Sequence, residues 1–369
     1  MQITILGGAG GMGSRATADL ASQKDIESLI LGDINLEAAV SLANRLNAEL
    51  GTKKIKPVKV DATNPETLEK AMLGSSAAAS AIGPYFKFGH HVINAALQAG
   101  TPIVDICDDF DAVEKILGLN DLAKEKGTTV LTGMGWTPGL SNMLAVKGMS
   151  ELDNAREANI YWLGSTAGES GNAVILHTLH IFTGMIPTYK NKQLVDIPAG
   201  SGKEKVNFSG IGTYSMFHVG HPEPVTLARF YENLEKVSLK GGLTSEFLNN
   251  VTVKLCRSGL SSSQKGKDRI AHIVGKVLKL GSKYIKGEET RSAIKVELKG
   301  SKDGKPASVI YEATADMADL TGLPLSIGTL MLARKEITKS GVHAPEDVVD
   351  CDKFISEMEA RGVKIEKTA

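Results

Sequence analysis

The sequence predicts an α/β fold in which a doubly wound parallel sheet is followed by an α+β domain. Two observations indicate the sheet. The apolar run Ile3–Leu6 stops in glycine, and apolar segments of strand and helix length alternate over residues 1–141. A third observation indicates the second domain, because short strand-like runs mix with helical stretches from about Asn142 onward. We therefore expect domains at 1–141 and 142–315, followed by a helical segment over 316–369.

Glycine follows the first strand in a spacing typical of dinucleotide-binding turns. Gly8, Gly10 and Gly13 form a G-x-G-x-x-G pattern. The first glycine permits the turn, the second lets backbone approach a pyrophosphate, and the third lets the following helix pack closely, with its N-terminus facing the phosphates. Gly11 and Met12 are predicted to contact the cofactor with them. The alternative is a glycine-rich turn without a ligand.

An acidic residue ends the second strand. Asp33 follows the apolar run Leu29–Leu31, twenty residues after Gly13, where a dinucleotide fold places the carboxylate that binds the ribose hydroxyls. A carboxylate repels a 2′-phosphate, and the next residues, Ile34 and Asn35, supply no arginine to bind one. The sequence therefore predicts NAD in preference to NADP, with Ile34 also in contact with the cofactor.

Strand and helix signals continue in order through the first domain. A helix over Leu36–Leu50 precedes a third strand, Ile55–Val60. Pro57 removes a hydrogen-bond donor from that strand, which places it at the sheet edge, as the order 3-2-1-4-5-6 requires. The later strands are predicted at Ala77–Ile82, Ile103–Ile106 and Val130–Leu131, and the helices begin at Asn64, His90 and Asp111 and end at Gly74, Gly100 and Lys126.

The sequence pattern over the remainder of the chain predicts a mixed sheet with helices. Strands are predicted at Ala158–Leu163, Val195–Ile197, Val251–Leu255, Ile294–Leu298 and Val309–Ala313. Helices are predicted at Ala173–Phe182, Arg269–Leu280, Leu325–Ile337 and Asp352–Arg361.

Ligands of open α/β sheets bind beyond the carboxyl ends of the strands. The loops after strands three and four are therefore predicted to contact the cofactor through Asp61, Ala62, Ile82, Gly83 and Pro84. Tyr85 follows directly and is predicted to face the substrate. The alternatives are an ordinary turn at Asp61 and a buried aromatic at Tyr85.

Acidic residues follow strand five. Asp108 and Asp109 stand close to Asp105, and neighbouring carboxylates raise one another's pKa, which suits a general acid or base. Capping of the helix from Asp111 is the alternative.

The composition of the chain indicates which classes of binding partner it favours. The chain carries 42 basic and 42 acidic residues, so no global field attracts nucleic acid or an anionic membrane. We find no apolar run long enough to span a bilayer and no basic leader segment. Three widely spaced cysteines suit free thiols in a reducing compartment. These features predict a cytoplasmic protein that binds a small molecule.

Four segments together resemble the saccharopine dehydrogenase family: Gly7–Gly13, Gly133–Asn142, His221–Leu227 and Gly341–Glu346. The resemblance extends over nearly the whole chain. It implies a Rossmann-type dinucleotide domain, an inserted α+β substrate and dimerisation domain, a C-terminal segment that returns to the first domain, and a homodimer. Relatives include saccharopine reductase, carboxynorspermidine dehydrogenase and lysine dehydrogenase.

The resemblance implies an NAD(P)-dependent enzyme that moves a hydride to or from a CH–NH or CH–NH2 carbon of an amino-acid-like or polyamine-precursor substrate. The amine must first lose a proton, so a base is needed. Asp108 and Asp109 are candidates, although Cys107-Asp108-Asp109 departs from the glycine-rich segment of many members. The alternative function is a catalytically silent dinucleotide-binding sensor or assembly protein.

Further site residues are predicted after strand six, on the helix that contains His177, and near the Pro222-Glu223-Pro224 loop. His177 is a third candidate base, while His180 lies three residues later with no third ligand in the sequence, so no metal is predicted. Trp136 is predicted to wall the substrate pocket, Asn142 to bond a polar substrate group, and Arg229 to bind a carboxylate. A core tryptophan, a helix-capping asparagine and a solvated arginine are the alternatives.

Overall fold

The chain passes three times between two units. The computed structural model describes residues 1–165, 172–259, 263, 265–267, 269–270 and 291–368. Unit 1 joins Met1–Leu140 to Ala318–Arg361, and unit 2 joins Ser141–Met317 to Gly362–Ala369. The predicted C-terminal segment, 316–369, therefore contributes its last residues to unit 2.

Unit 1 contains a seven-stranded parallel sheet. Its strands are β1 (Gln2–Leu6), β2 (Ser28–Asp33), β3 (Ile55–Lys59), β4 (Ala77–Ser80), β5 (Ile103–Asp105), β6 (Thr129–Leu131) and β15 (Gly341–His343). The order β15-β6-β5-β4-β1-β2-β3 confirms the predicted doubly wound sheet, with the Pro57 strand at one edge. The sequence analysis missed β15, because a three-residue strand is too short to show an alternating pattern.

The helices of unit 1 connect these parallel strands. They are α1 (Gly11–Ser22), α2 (Leu36–Glu49), α3 (Pro65–Met72), α4 (Tyr85–Ala99), α5 (Phe110–Leu117), α6 (Asn120–Glu125), α11 (Met317–Ala333), α12 (Pro345–Val348) and α13 (Cys351–Ala360). The single helix predicted over 111–126 is wrong, because it breaks at Gly118, where glycine disfavours a helix interior. Helix α11 begins before the predicted Leu325 and continues through Pro324.

A buried ion pair fixes the C-terminal segment within unit 1. Asp19 of α1 accepts hydrogen bonds from Arg361 Nε at 3.0 Å and from Ser326 Oγ of α11 at 2.6 Å. The side chains of Asp19 and Arg361 are only 9% and 12% exposed. Because an uncompensated buried charge is costly, these contacts link α1 to α11 and to the C-terminal end of α13.

Unit 2 contains a nine-stranded mixed sheet. Its strands are β7 (Asn154–Gly164), β8 (Met185–Lys190), β9 (Gln193–Pro198), β10 (Glu204–Phe208), β11 (Gly212–His218), β12 (Lys236–Leu243), β13 (Ser292–Lys302), β14 (Lys305–Ala315) and β16 (Lys364–Lys367). The main order is β10-β11-β12-β7-β13-β14-β16, and β8 joins β12 to β9. Only the β12–β7 pair is parallel among these described pairs, which confirms the predicted α+β character.

Among the described residues, the named helices that belong to or lead into unit 2 are α7 (Leu140–Ser150), α8 (Asn172–Ile181), α9 (Glu223–Phe230) and α10 (Glu246–Arg257). The strand predicted over Val251–Leu255 is wrong, because this segment lies inside α10. Ser245 caps α10 by accepting a hydrogen bond from Leu248 N, and Asn249 and Val253 are buried on one face. Burial of that face outweighs the strand preference of the β-branched residues. Residues 271–280 of the helix predicted at Arg269–Leu280 lie outside the described residues.

No helix among the described residues has both the length and the apolar character needed to cross a membrane.

Candidate functional site

The glycine-rich turn holds β1 against α1. A Cβ atom added to Gly13 would lie 2.2 Å from the Gly7 carbonyl oxygen and 2.9 Å from Gly8 Cα. Both distances are to backbone atoms that no side-chain rotation can move away. The third glycine of the motif therefore allows the close approach of helix and turn that its spacing predicts.

The N-terminus of α1 is open at this turn. Gly10 and Gly11 are exposed, and a Cβ on Gly11 would meet no heavy atom of the described residues within 4 Å. The first turn of α1 contains no acid, and no side chain in the described part of the chain caps it. Amide donors and the positive helix end thus face open space, which fits the pyrophosphate of a dinucleotide.

Asp33 is positioned beside this turn. Its Oδ2 accepts a hydrogen bond from Ala9 N at 3.0 Å, and its Oδ1 accepts one from Asn35 N at 2.9 Å. The side chain of the next residue, Ile34, is 59% exposed. The structure thus brings the predicted ribose-binding carboxylate together with the glycine turn, next to an exposed apolar surface that suits an adenine ring.

The predicted contacts after β3 form a local turn. Asp61 is partly exposed, and its Oδ1 accepts hydrogen bonds from Thr63 Oγ1 at 2.7 Å and Thr63 N at 2.9 Å. These bonds hold the pKa of Asp61 below its ordinary value. Ala62 is buried. The turn shapes the carboxyl end of β3, and the contact with adenine stays a prediction.

The loop after β4 leads from the sheet into a buried aromatic. Ile82, Gly83 and Pro84 connect β4 to α4, with a cis peptide bond between Gly83 and Pro84. Tyr85 is 5% exposed, and its hydroxyl donates to the Ser80 carbonyl oxygen at 2.8 Å. Burial raises the pKa of Tyr85 well above its ordinary value. The structure therefore favours the buried-aromatic alternative over a substrate contact.

The acids after β5 differ in their surroundings. Asp109 is fully buried, and its Oδ2 accepts a hydrogen bond from Phe86 N at 2.9 Å. It is also the N-cap residue of α5, although its side chain makes no capping bond there. Asp108 is only partly buried. The contact with Phe86 favours an anchoring role for Asp109 between the loops after β4 and β5.

Asp105 is a buried acid that the sequence analysis did not single out. Its Oδ1 accepts hydrogen bonds from Cys107 N and Gly133 N, both at 2.9 Å, and from Thr132 Oγ1 at 3.0 Å. Burial raises the pKa of Asp105 to about 6, and these hydrogen bonds oppose the rise. The group ties the ends of β5 and β6 together.

We expect Asp105→Asn to alter the dependence of stability on pH. Folding raises the pKa of the Asp105 carboxyl from 3.8 to about 6, so the protonated carboxyl stabilises the folded state and the ionised carboxylate does not. The stability that the protonated carboxyl contributes is lost as the pH rises through about 6. The wild type should lose roughly 2 kcal/mol between pH 4 and 7 that the variant does not lose. The asparagine oxygen can keep the bonds from Cys107 and Gly133.

Urea unfolding at several pH values measures this difference. Asp61→Asn is the control, because a lowered carboxyl pKa gives stability that is lost as the pH falls, which is the opposite direction. Parallel pH curves for the wild type and Asp105→Asn would contradict the assignment.

Trp136 lies in a closed loop after β6. Gly135 N donates to the Pro138 carbonyl oxygen at 2.9 Å, and Leu140 N donates to the Gly135 carbonyl oxygen at 2.9 Å. Trp136 is 7% exposed. This burial favours the alternative that Trp136 belongs to the hydrophobic core, and its contact with the substrate stays a prediction.

Unit 2 contains a buried polar cluster, which we define as Ser141, Asn142, Glu223 and Thr226. Ser141 Oγ donates to Glu223 Oε1 at 2.7 Å, and Asn142 Nδ2 donates to Thr226 Oγ1 at 3.4 Å. Ser141, Asn142 and Glu223 are fully buried. The start of α7, which follows β6, is thereby bonded to the start of α9.

Two histidines adjoin this cluster within unit 2. The ring of His177 on α8 lies edge-on to that of His221, with centroids 5.3 Å apart. His221 Nδ1 lies 3.9 Å from Glu223 Oε2, and its ring centroid is 5.9 Å from that of Trp162. His177 is partly buried, whereas His180 Nδ1 is 2.7 Å from Lys267 Nζ. The structure thus connects His177, through His221, to a buried carboxylate.

Arg229 lies apart from this cluster on the same helix. It is exposed in the last turn of α9, whereas Glu223 begins the helix and is fully buried. This position suits the alternative that Arg229 is a solvated surface residue, and its binding of a substrate carboxylate stays a prediction.

Sequence reasoning missed the roles of Ser141, His221 and Glu223. The sequence analysis uses the segments Gly133–Asn142 and His221–Leu227 for the family resemblance, without a separate role for any of these three residues. The available signal was a histidine and an acid flanking Pro222 at the start of a helix. Neither residue could be linked to Ser141, which lies 82 positions from Glu223 in the sequence.

Comparison with known proteins agrees with this geometry. The family model described as the saccharopine dehydrogenase NADP binding domain matches residues 3–131. The model described as the saccharopine dehydrogenase C-terminal domain matches residues 135–363, more than half of the chain.

Solved structures share the fold. Apo saccharopine dehydrogenase (L-Glu forming) from Saccharomyces cerevisiae matches with a TM-score of 0.65 and 15% identity, over 100% of both chains. GenD2 from gentamicin A biosynthesis, in complex with NAD, matches with a TM-score of 0.45 and 9% identity, over 100% of this chain and 96% of that one. A putative myo-inositol dehydrogenase from Sinorhizobium meliloti 1021 matches with a TM-score of 0.45 and 10% identity, over 100% of both chains.

At such identities these likenesses show the fold alone, and the two lower scores carry no argument. The two family models and the open glycine turn beside Asp33 support an oxidoreductase that uses a nicotinamide dinucleotide. This chain belongs to the saccharopine dehydrogenase family.

Proposed function

We propose that this protein is an NAD-dependent oxidoreductase, acting as a homodimer, that transfers a hydride between the cofactor and a carbon–nitrogen centre of an amino-acid-like or polyamine-precursor substrate. Family membership over both domains supports the substrate class. The observation that carries the proposed chemistry is the connection of a partly buried histidine, His177, to the buried carboxylate of Glu223 through His221. The dimer rests on the resemblance to the family.

Asp33 supports NAD over NADP. Its carboxylate stands at the glycine turn, bonded to Ala9 N, where a 2′-phosphate would meet a like charge. The two residues that follow, Ile34 and Asn35, supply no guanidinium to offset that charge. We propose this preference although the matching family model is described as an NADP-binding domain.

His177 is the candidate base that the contacts within unit 2 favour. Oxidation of an amine requires the neutral amine, so a group near the substrate must take up a proton. The nicotinamide ring, when bound, accepts the hydride. The ring of His177 packs edge-on against the ring of His221, and His221 Nδ1 lies 3.9 Å from Glu223 Oε2. Ser141 fixes Glu223 by donating to its Oε1 at 2.7 Å.

Three further residues of the predicted site are Asp108, Asn142 and Trp136. Asp108 is the second candidate for proton transfer, because it is less buried than Asp109 and Asp109 is bonded to Phe86. Asn142 donates to Thr226 and Trp136 is buried, and their contacts with the substrate stay predictions.

A turnover screen tests the proposal. Lysine, saccharopine and carboxynorspermidine are offered with NAD, and NADH absorbance is followed; we expect oxidation of at least one of them. His177→Asn should lower kcat at least about 100-fold with that substrate, because general base catalysis contributes this much, while the Kd for NADH stays unchanged.

His180→Asn is the matched control, since it changes the neighbouring histidine of α8 and should leave kcat near the wild-type value. Equal losses in both variants would contradict the assignment of His177. Failure of every substrate, with NADH binding intact, would favour the alternative of a dinucleotide-binding sensor.

A further inference from the structure

A lysine lies at the carboxyl end of the unit 1 sheet, beside the carboxylate that is predicted to bind the ribose. Lys59 is the last residue of β3 and pairs in register with Asp33, the last residue of β2. The two strands are parallel, and neighbouring strands lie about 4.8 Å apart. Side chains of residues paired in this way stand on the same face of a sheet. The side chains of Lys59 and Asp33 are therefore neighbours.

The ammonium group of Lys59 is accessible. Lys59 is exposed, and β3 is an edge strand of the sheet. Within the part of the chain that the structure describes, the side chain of Lys59 forms no ion pair and no hydrogen bond. A charged ligand group that reaches this end of β3 can therefore contact the ammonium group without breaking a contact within the protein.

The charge of Lys59 acts at the predicted cofactor contact after β3. Hydrogen bonds from Thr63 are the main cause of the lowered pKa of Asp61, and the charge of Lys59 lowers it further. Asp61 follows Lys59 by two residues, just beyond the end of the strand. The ammonium group thus lies within electrostatic range of the loop that is predicted to contact the adenine.

Asp33 does not neutralise Lys59 by direct contact. The two carboxylate oxygens of Asp33 accept hydrogen bonds from Ala9 N at 3.0 Å and from Asn35 N at 2.9 Å. A phosphate on the 2′-oxygen of the ribose would therefore meet two acids, Asp33 and Asp61, and one cation, Lys59. The acids outnumber the cation, which agrees with the proposed preference for NAD, but the cation makes the repulsion incomplete.

We infer that Lys59 is a specificity-determining residue for the cofactor. Its ammonium group attracts the 2′-phosphate of NADP and partly offsets the repulsion from Asp33 and Asp61. The protein consequently keeps a measurable affinity for NADP while it prefers NAD. This inference rests on the proposed function, because it requires the adenosine ribose to lie beside Asp33. The alternative is a lysine that only protects the edge strand from pairing with another chain.

Fluorescence titrations of NADPH and NADH on the full-length protein test this role. Glutamine has a similar shape to lysine but no charge, so Lys59→Gln should weaken NADPH binding about fivefold. NADH has no 2′-phosphate, and its affinity should stay within about twofold of the wild-type value. An equal change in both affinities would overturn the inference. Urea unfolding should match the wild type, because an exposed side chain without a partner contributes little to stability.

Two control variants separate the position of the charge from its presence. Lys56 is the other exposed lysine of β3, and it pairs with Ile30, so its side chain stands on the opposite face from Lys59. Lys56→Gln should leave both affinities unchanged, and Lys59→Arg should keep NADPH binding, because a guanidinium also binds phosphate. NADPH losses as large in Lys56→Gln or in Lys59→Arg as in Lys59→Gln would overturn the inference.

The Asp33→Asn protein gives a second measurement with less repulsion of the 2′-phosphate. Adding Lys59→Gln to it should again weaken NADPH binding about fivefold. Calorimetry with 2′,5′-ADP and 5′-AMP examines the adenosine end alone: Lys59→Gln should weaken the binding of 2′,5′-ADP and leave that of 5′-AMP unchanged. A loss for 5′-AMP as large as for 2′,5′-ADP would show that Lys59 does not recognise the 2′-phosphate.

The results distinguish this inference from the proposed function. Unchanged NADPH affinity on removal of Lys59, in both the wild-type and the Asp33→Asn proteins, would overturn the inference while normal NADH binding leaves the proposed function standing. Failure of the wild type to bind either dinucleotide would overturn the cofactor assignment and this inference together.

Discussion

Gly13→Ala is expected to destabilise unit 1 by about 2 to 3 kcal/mol and to weaken NADH binding at least about 100-fold. The added Cβ would lie 2.2 Å from the Gly7 carbonyl oxygen and 2.9 Å from Gly8 Cα, so the turn must move away from α1. That movement displaces the amides that are expected to bind the pyrophosphate. Urea unfolding measures the stability, and a fluorescence titration of NADH on the folded protein measures the affinity.

Gly11→Ala is the matched control, because it makes the same change two residues earlier. A Cβ at Gly11 meets no heavy atom of the described residues within 4 Å, and alanine favours a helix over glycine by roughly 1 kcal/mol. The control should therefore be as stable as the wild type or slightly more stable. A Gly13→Ala protein with wild-type stability would show that the turn and helix do not approach each other as closely as the structure has them.

Asp33→Ala is expected to weaken NADH binding about 100-fold. Loss of the carboxylate removes two charged hydrogen bonds to the ribose hydroxyls, each worth roughly 1.5 kcal/mol or more. It also removes the acceptor that holds Ala9 N at 3.0 Å and so loosens the glycine turn. The fluorescence titration of NADH checks this result, and an unchanged affinity would show that Asp33 does not contact the ribose.

Asp33→Asn separates charge from hydrogen bonding. The asparagine oxygen can still accept from Ala9 N, but the negative charge that repels a 2′-phosphate is gone. We expect the ratio of NADPH to NADH affinity to rise at least about tenfold in this variant. Wild-type NADPH affinity tenfold above that for NADH would reverse the proposed preference.

The fold of unit 1 could be predicted because its signals are local. Apolar runs, helix caps and glycine spacing predicted the sheet order, and Pro57 placed β3 at the edge, as the structure confirms. The secondary-structure predictions were wrong where tertiary packing outweighed the local conformational preference of the residues. A β-branched run inside α10 looked like a strand, and Pro324 hid the first turns of α11.

The candidate site likewise contains residues whose positions the sequence predicted and residues whose contacts it did not predict. Asp33 and the glycine turn are separated by one strand and one helix, so spacing alone predicted that they meet. Tyr85 and Asp109 were expected to face the ligands, yet one donates to Ser80 and the other accepts from Phe86. Position after a strand does not reveal whether a polar atom already has a protein partner.

The sequence by itself determined the fold of the dinucleotide-binding half of this protein, because a periodic apolar pattern and a fixed glycine spacing encode it within short stretches of chain. The family was indicated by the resemblance of four separate segments. Only the tertiary structure decided which polar groups are joined over long separations. Ser141 with Glu223 and His177 with His221 are brought together by α9 and α8. The physical reason is that a buried polar group is placed by its partner across the fold, which its sequence neighbours do not specify.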